Sequence, residues 1–230
     1  GHRGLALRGQ RIFLDQRHDP GHGDASAQAR TRWQAAPTRF SQGLDAVTYE
    51  FENVPVESAR WLAERLPVFP PPQALEIAQD RIREKTFFKN LGIAVPPFAA
   101  INHRDDFEQA IRQIGLPAVL KTTRFGYDGK GQHVIRTTTD VDAAWAKLQG
   151  VPLILEGFVQ FERELSILAV RSTTGETAFY PLVQNIHRDG ILHQTLAPAP
   201  GLNPQLQQLA QDYALKAMEA LEYSGVLAIE

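Results

Sequence analysis

The chain has 230 residues, 43% of them hydrophobic and 22% charged, and a formal net charge of −2. This length and apolar content suit one large or two small globular domains, and the near-neutral balance offers no basic field for nucleic-acid phosphates, so a nucleic-acid partner is disfavoured. Cysteine is absent, which removes disulfides, thiolate nucleophiles and zinc–cysteine sites; apolar runs such as 151–155 are too short to span a membrane and the first residues carry no signal-peptide core, so a cytoplasmic location is expected.

Residues 11–14 (RIFL) and 46–51 (AVTYEF) read as strands, with a loop over 15–30 between them. Pro70, Pro71 and Pro72 interrupt the pattern, and a domain boundary is expected near residue 70, giving domains over 1–70 and 71–230. Beyond it, Leu75, Ala78, Ile82, Phe87, Phe88 and Leu91 recur at helical spacing, which predicts one helix over 73–91 closed by Gly92. Helices are predicted over 105–114 and 140–148, and Asn203-Pro204 starts another that runs to about 221. Strands over 118–121, 133–136, 153–156, 164–171, 179–183 and 225–230 make the first part α/β and the remainder α+β.

Five groups of residues carry possible chemistry. The strand ending in Lys121 opens into a glycine-rich turn, 122–132, where Gly126, Gly129 and Gly131 permit positive φ while Lys121, Arg124 and Lys130 bring charge. It reads either as a nucleotide phosphate clamp or as a structural turn, and as a β-loop-β lid rather than a Walker A loop, since a strand and not a helix follows. The apolar strand 153–156 ends in Glu156-Gly157-Phe158-Val159, where backbone groups can meet an adenine edge, and Glu164 beyond it suits ribose hydroxyls or a plain solvated strand face. Glu50 and Glu52 fall on one face of a strand end, as substrate contacts or as solvated edge charges. Glu230 closes an apolar strand, placed like a Mg²⁺ ligand. His187 in a loop, and Arg81 with Lys85 four residues apart on a helix, can reach phosphate or base, or simply face water.

Taken in order, TYEFENVP, QDR-x3-K, LK-x5-YDGKGQ, EGFV-x4-E-x-S, YPL-x3-IHRDGIL and GVLAIE resemble the ATP-grasp ligases, and within them the N5-carboxyaminoimidazole ribonucleotide synthetase family, over about residues 45–230. The resemblance implies a partial Rossmann-like pre-ATP-grasp domain over 1–70 and an ATP-grasp domain over 71–230 with a small β-rich lid at roughly 116–160. It implies ATP and Mg²⁺ as cofactors, 5-aminoimidazole ribonucleotide and bicarbonate as substrates, and a homodimer. Carried over position by position, Arg81 and Lys121 would meet the phosphates as catalytic groups, Gly126, Gly129, Gly131 and Gln132 would line the nucleotide, Glu156 to Val159 would form the adenine hinge, Glu164 would take the ribose and His187 would lie near the nucleotide. Tyr127, Asp128 and Lys130 would hold the ribonucleotide, with Glu50 and Glu52, although the family often has arginine where Lys130 stands; Glu230 would be the first of two metal carboxylates. The family's opening GGGQLG-type turn would precede residue 1 and the second metal carboxylate would follow residue 230, so the chain is expected to be part of a longer polypeptide or a truncated copy. A catalytically inactive nucleotide-binding module and another ATP-grasp ligase are the alternatives.

Overall fold

Strand β1 (Val47–Thr48) pairs in parallel with β2 (Val68–Phe69), and the intervening helix α1 (Val56–Ala63) buries Ala59 and Leu62. The structure, a computed structural model, describes residues 41–50, 52–126, 131–188 and 190–230, of which 44–230 cohere as one unit. The strand expected over 11–14 and the loop over 15–30 lie outside the described residues. The strand predicted over 46–51 is shorter than expected: its ladder partner ends at Phe69, and Pro70 has no N–H with which to continue the pairing. Glu50 and Glu52 therefore lie past the strand end and not together on its face, both exposed.

Helix α2 (Pro72–Ala78) takes Pro72 into its first turn, where a missing N–H costs nothing. Helix α3 (Arg81–Asn90) is separate from it. Asp80 adopts an extended conformation, and its carboxylate accepts from the N–H groups of Ile82 and Arg83 at 3.0 and 3.1 Å, so a local cap divides the single helix predicted over 73–91 into two. Gly92, with φ +71°, closes α3 as expected, its N–H donating to the Lys89 carbonyl at 3.0 Å.

Strands β3 (Phe98–Ile101), β4 (Ala118–Thr122), β5 (Gln132–Ile135) and β6 (Leu153–Gly157) form an antiparallel sheet in the order β3-β6-β4-β5. Helices α4 (Arg104–Ile114) and α5 (Val141–Leu148) bring Phe107, Ala110, Ala144 and Leu148 into one core with Ile101, Leu120, Ile135, Leu153 and Leu155, and Phe107 stacks on Trp145 at 5.7 Å between ring centroids. Each large apolar side chain buried there contributes about 1.5–3 kcal/mol. Side chains alternate across a strand, so with Leu120 and Leu155 in this core, Lys121 and Glu156 project from the opposite face.

The second sheet has β7 (Glu164–Arg171) at its centre, with β8 (Thr177–Phe179), β9 (Val183–Arg188), β10 (Ile191–Leu196) and β11 (Gly225–Ile229). Its order is β10-β9-β7-β11 with β8 also on β7, and all pairings are antiparallel. Helix α6 (Pro204–Ala220), capped by Asn203 as its sequence predicts, packs Ala214 and Met218 against Ile167 and Ala169. The strand predicted over 179–183 is two strands, β8 and β9, divided where Pro181 removes a ladder donor.

Candidate functional site

The glycine-rich turn is a β-loop-β element between β4 and β5, and its root is tightly defined. Thr122 donates its N–H to the Gly131 carbonyl at 2.8 Å, and a Cβ at Gly131, where φ is +71°, would fall 2.8 Å from Thr122 Oγ1. Glycine is required there on both counts. The other positive φ in the described part of the turn belongs to Phe125 (φ 60°) and not to Gly126, whose carbonyl accepts from Arg81 Nη2 at 3.4 Å. The exposed Phe125 ring lies 5.3 Å from the Arg124 guanidinium. Arg81 also donates its backbone N–H to the Thr123 carbonyl at 3.0 Å, which ties the first residue of α3 to the turn. Tyr127, Asp128, Gly129 and Lys130 lie outside the described residues.

Beside this turn a buried carboxylate holds two lysines. Glu156, 4% exposed, accepts from Lys121 Nζ at 2.9 Å and lies 3.3 Å from Lys85 Nζ, both through Oε2. Its Oε1 is buried with no partner among the described residues, although buried polar atoms are nearly always bonded. Lys121 comes from β4, Glu156 from β6 and Lys85 from α3, so the sheet's second face and one helix build the cluster. Positive charge is in excess, and an anion can compete with Glu156 for either ammonium. Glu84, one residue before Lys85, titrates above the usual carboxylate range: burial is the main cause, Glu156 and Glu52 add to it, and Lys85 and Arg81 oppose it.

Of the four residues 156–159 expected at an adenine hinge, two have their backbone donors engaged within the protein. Gly157 donates its N–H to Pro97 at 2.8 Å and Phe158 to Pro117 at 3.1 Å, so these two donors serve the fold. Gly157 leaves no room for a side chain, since a Cβ would lie 2.9 Å from Pro97 Cγ. Val159 is the first of the four beyond these internal bonds, and it is half exposed.

A second cluster lies on the five-stranded sheet. Glu164 on β7 faces Asn185 on β9, and His187 Nδ1 lies 2.8 Å from Glu164 Oε2. His187 is thus a strand residue with a carboxylate partner rather than the loop histidine expected. Asn185 Nδ2 donates to Ser166 Oγ at 2.6 Å and to Glu230 Oε1 at 3.1 Å, while its Oδ1 accepts from Thr195 Oγ1 at 3.0 Å. Glu164 is partly exposed as expected, but Ser166, on the same strand face, is buried by this network. Asn185 and Thr195 were not among the residues singled out from sequence. Two-residue periodicity from His187 points to Asn185, a signal that was available.

Among the described residues, no group of three or more His, Cys, Asp or Glu side chains is arranged to hold a metal ion. Glu230 offers one carboxylate, with one oxygen already tied to Asn185. That donor set fits a Mg²⁺ ion shared with phosphate oxygens better than one held by these side chains alone.

Residues 86–230 match the ATP-grasp domain family, and residues 4–79 match the ribonucleotide synthetase preATP-grasp domain. Over 192 residues the chain is 49% identical to the N5-carboxyaminoimidazole ribonucleotide synthase of Pseudomonas aeruginosa, a match covering 84% of this chain and 52% of that protein. It is similar in structure to the N5-carboxyaminoimidazole ribonucleotide synthetase of Thermus thermophilus, with a TM-score of 0.79 and 56% identity over 85% of this chain and 52% of that one. It is also similar to the N5-carboxyaminoimidazole synthase of Aspergillus clavatus in complex with ADP and 5-aminoimidazole ribonucleotide, with a TM-score of 0.76 and 25% identity over 85% and 51% of the two chains. The chain spans about half the length of these relatives. Two antiparallel sheets, a glycine-rich turn clamped to the start of α3, and a family match across most of the residues that build them lead to one assignment: the chain belongs to the ATP-grasp family, with a ribonucleotide synthetase preATP-grasp domain ahead of its ATP-grasp domain.

Proposed function

We propose that this chain forms the nucleotide-binding part of a carbon–nitrogen ligase of purine biosynthesis that carboxylates 5-aminoimidazole ribonucleotide with ATP and bicarbonate, giving N5-carboxyaminoimidazole ribonucleotide. The observation that carries the reading is the buried Glu156 holding Lys121 and Lys85 beside a glycine-rich turn, with its second oxygen unpartnered. Relatives bearing the synthetase name, one of them complexed with ADP and 5-aminoimidazole ribonucleotide, support it.

In this reading bicarbonate attacks the γ-phosphorus of ATP, ADP leaves, and the ribonucleotide's exocyclic amine then captures the carboxyl group of carboxyphosphate with loss of phosphate and a proton. Little covalent work falls to side chains; Lys121 and Arg81 neutralise charge that develops on the transferring phosphoryl group. Glu164 accepts from the ribose with His187 beside it, the Val159 backbone and Glu156 Oε1 meet the adenine edge, and Gly126, Gly129, Gly131 and Gln132 lie along the phosphates. Tyr127, Asp128 and Lys130, with Glu50 and Glu52, hold the ribonucleotide. Bound Mg²⁺ would screen the phosphate charges, with Glu230 as a ligand oriented by Asn185. The division into a pre-ATP-grasp domain over 1–70 and an ATP-grasp domain over 71–230, a cytoplasmic location and a homodimer belong to the same reading.

The test is ADP release from ATP, Mg²⁺ and bicarbonate, with and without 5-aminoimidazole ribonucleotide, on this chain and on a form extended to the length of its relatives. Ribonucleotide-stimulated release in the extended form is expected. Its absence from both would overturn the reading and leave a nucleotide-binding module.

A further inference from the structure

Gln79 sits between α2 and α3, 7% exposed, and every polar atom of its side chain is engaged with a distant segment. Its Nε2 donates to the carbonyl of Glu52 at 2.7 Å and to that of Val54 at 2.5 Å. Its Oε1 accepts from Arg124 Nη2 at 2.5 Å, at the root of the glycine-rich turn. The amide therefore joins two stretches about 70 residues apart in sequence, using both donor hydrogens on one and its acceptor on the other. Two residues on, the Arg81 N–H donates to the Thr123 carbonyl, a second tie from this segment to the glycine-rich turn but not to 52–54.

We infer that Gln79 is a positioning residue that holds the 52–54 turn and the Arg124 end of the glycine-rich turn in one register. Resting on the function proposed above, this register spaces Glu50 and Glu52 against the turn that carries Tyr127, Asp128 and Lys130; because the glycines of that turn are assigned to the ATP phosphates, ATP binding should weaken as well, but less than ribonucleotide binding. The amide is the group suited to the task. A carboxylate would keep Arg124 but set a negative charge against two carbonyl oxygens, and an apolar side chain would leave both carbonyls and the guanidinium without a buried partner.

The experiment compares Gln79→Glu and Gln79→Met with the parent in two ways. Steady-state kinetics on the extended form should show the KM for 5-aminoimidazole ribonucleotide raised at least tenfold in both variants, with the KM for ATP changed less than about threefold. Amide hydrogen exchange on this chain should show faster exchange in peptides covering 48–55 and 119–126, with the α4 and β6 peptides unchanged. Arg124→Met should raise the same KM, and combined with Gln79→Met it should do no more than the worse single change, because both break one contact. Equal rises in both KM values, or exchange spread across the whole domain, would reduce Gln79 to a stability residue and overturn the inference. If the parent shows no ribonucleotide dependence, the function reading fails by itself; localised exchange at both segments would then support the register, and unchanged exchange would sink it.

Discussion

Lys121 Nζ lies 2.9 Å from Glu156 Oε2 because β4 and β6 are adjacent and the two residues are diagonal neighbours on one face, with Lys121 opposite Ile154 and Glu156 opposite Val119. The lysine is already oriented by a buried anion before any ligand arrives. A phosphate that draws it away leaves Glu156 with Lys85, so the carboxylate never stands alone.

Lys121→Ala should therefore abolish measurable ADP binding by calorimetry while lowering stability by only about 1–3 kcal/mol, since Glu156 keeps one partner. Undiminished ADP affinity in this variant would refute the phosphate contact. Loss of folding in denaturant titrations would show that the pair is chiefly structural.

Glu84 carries a pH signature. Its folded pKa stands above its unfolded one, mainly through burial, so folding binds its proton more tightly. The penalty is absent below the ordinary carboxylate range and complete once pH exceeds the raised value. Glu84→Gln should be more stable than the parent to urea at about pH 7.5 and should lose that advantage near pH 4. Equal stability at the higher pH would mean that attraction to Lys85 and Arg81 fully offsets burial.

For the Glu164–His187 pair the readout is ligand chemistry. If Glu164 accepts from the ribose, the parent should bind ADP more tightly than 2′-deoxy-ADP or 3′-deoxy-ADP, and Glu164→Ala should erase that preference, worth about 1 kcal/mol or roughly fivefold. His187→Ala should weaken both kinds of nucleotide without altering the ratio. A preference that survives Glu164→Ala would reassign the carboxylate to holding His187 alone.

Gly131→Ala combines an unfavourable φ with a close contact, while Gly175→Ala meets the unfavourable φ (+91°) with nothing within 4 Å. The second should cost about 1 kcal/mol and leave ADP affinity intact. The first should cost more and weaken ADP binding severalfold, because Thr122 must move and Lys121 precedes it. Equal costs by thermal denaturation would show that the turn relaxes around the added methyl.

Local signals were legible where a residue's own backbone requirements decide the outcome. Asn203 before Pro204, Gly92 after α3 and the alternation of 164–171 each produced the expected element. The division of 73–91 by Asp80 was missed because apolar spacing continues in phase across the cap, and hydrophobic periodicity alone does not reveal a change of helix axis. Strands β3 and β10 were missed because β3 is short and β10 is exposed along most of its length, so neither has the buried alternation that sequence reading detects.

Among the site residues, Lys121, Glu156, Glu164, His187 and Glu230 could be named from motif and strand position. Their pairings could not. Lys85 reaches Glu156 from a helix 71 residues earlier, Asn185 reaches Glu230 across the sheet, and Gln79 joins two turns that share no local pattern. The sequence by itself determined the class of fold, the glycine-rich turn and the kinds of side chain available for phosphate and ribose, since these follow from backbone preference and chemical type. Only the tertiary structure decided which charge meets which, because pairing depends on sheet order, strand register and the packing of α3 on the sheet's second face, and no residue encodes these alone.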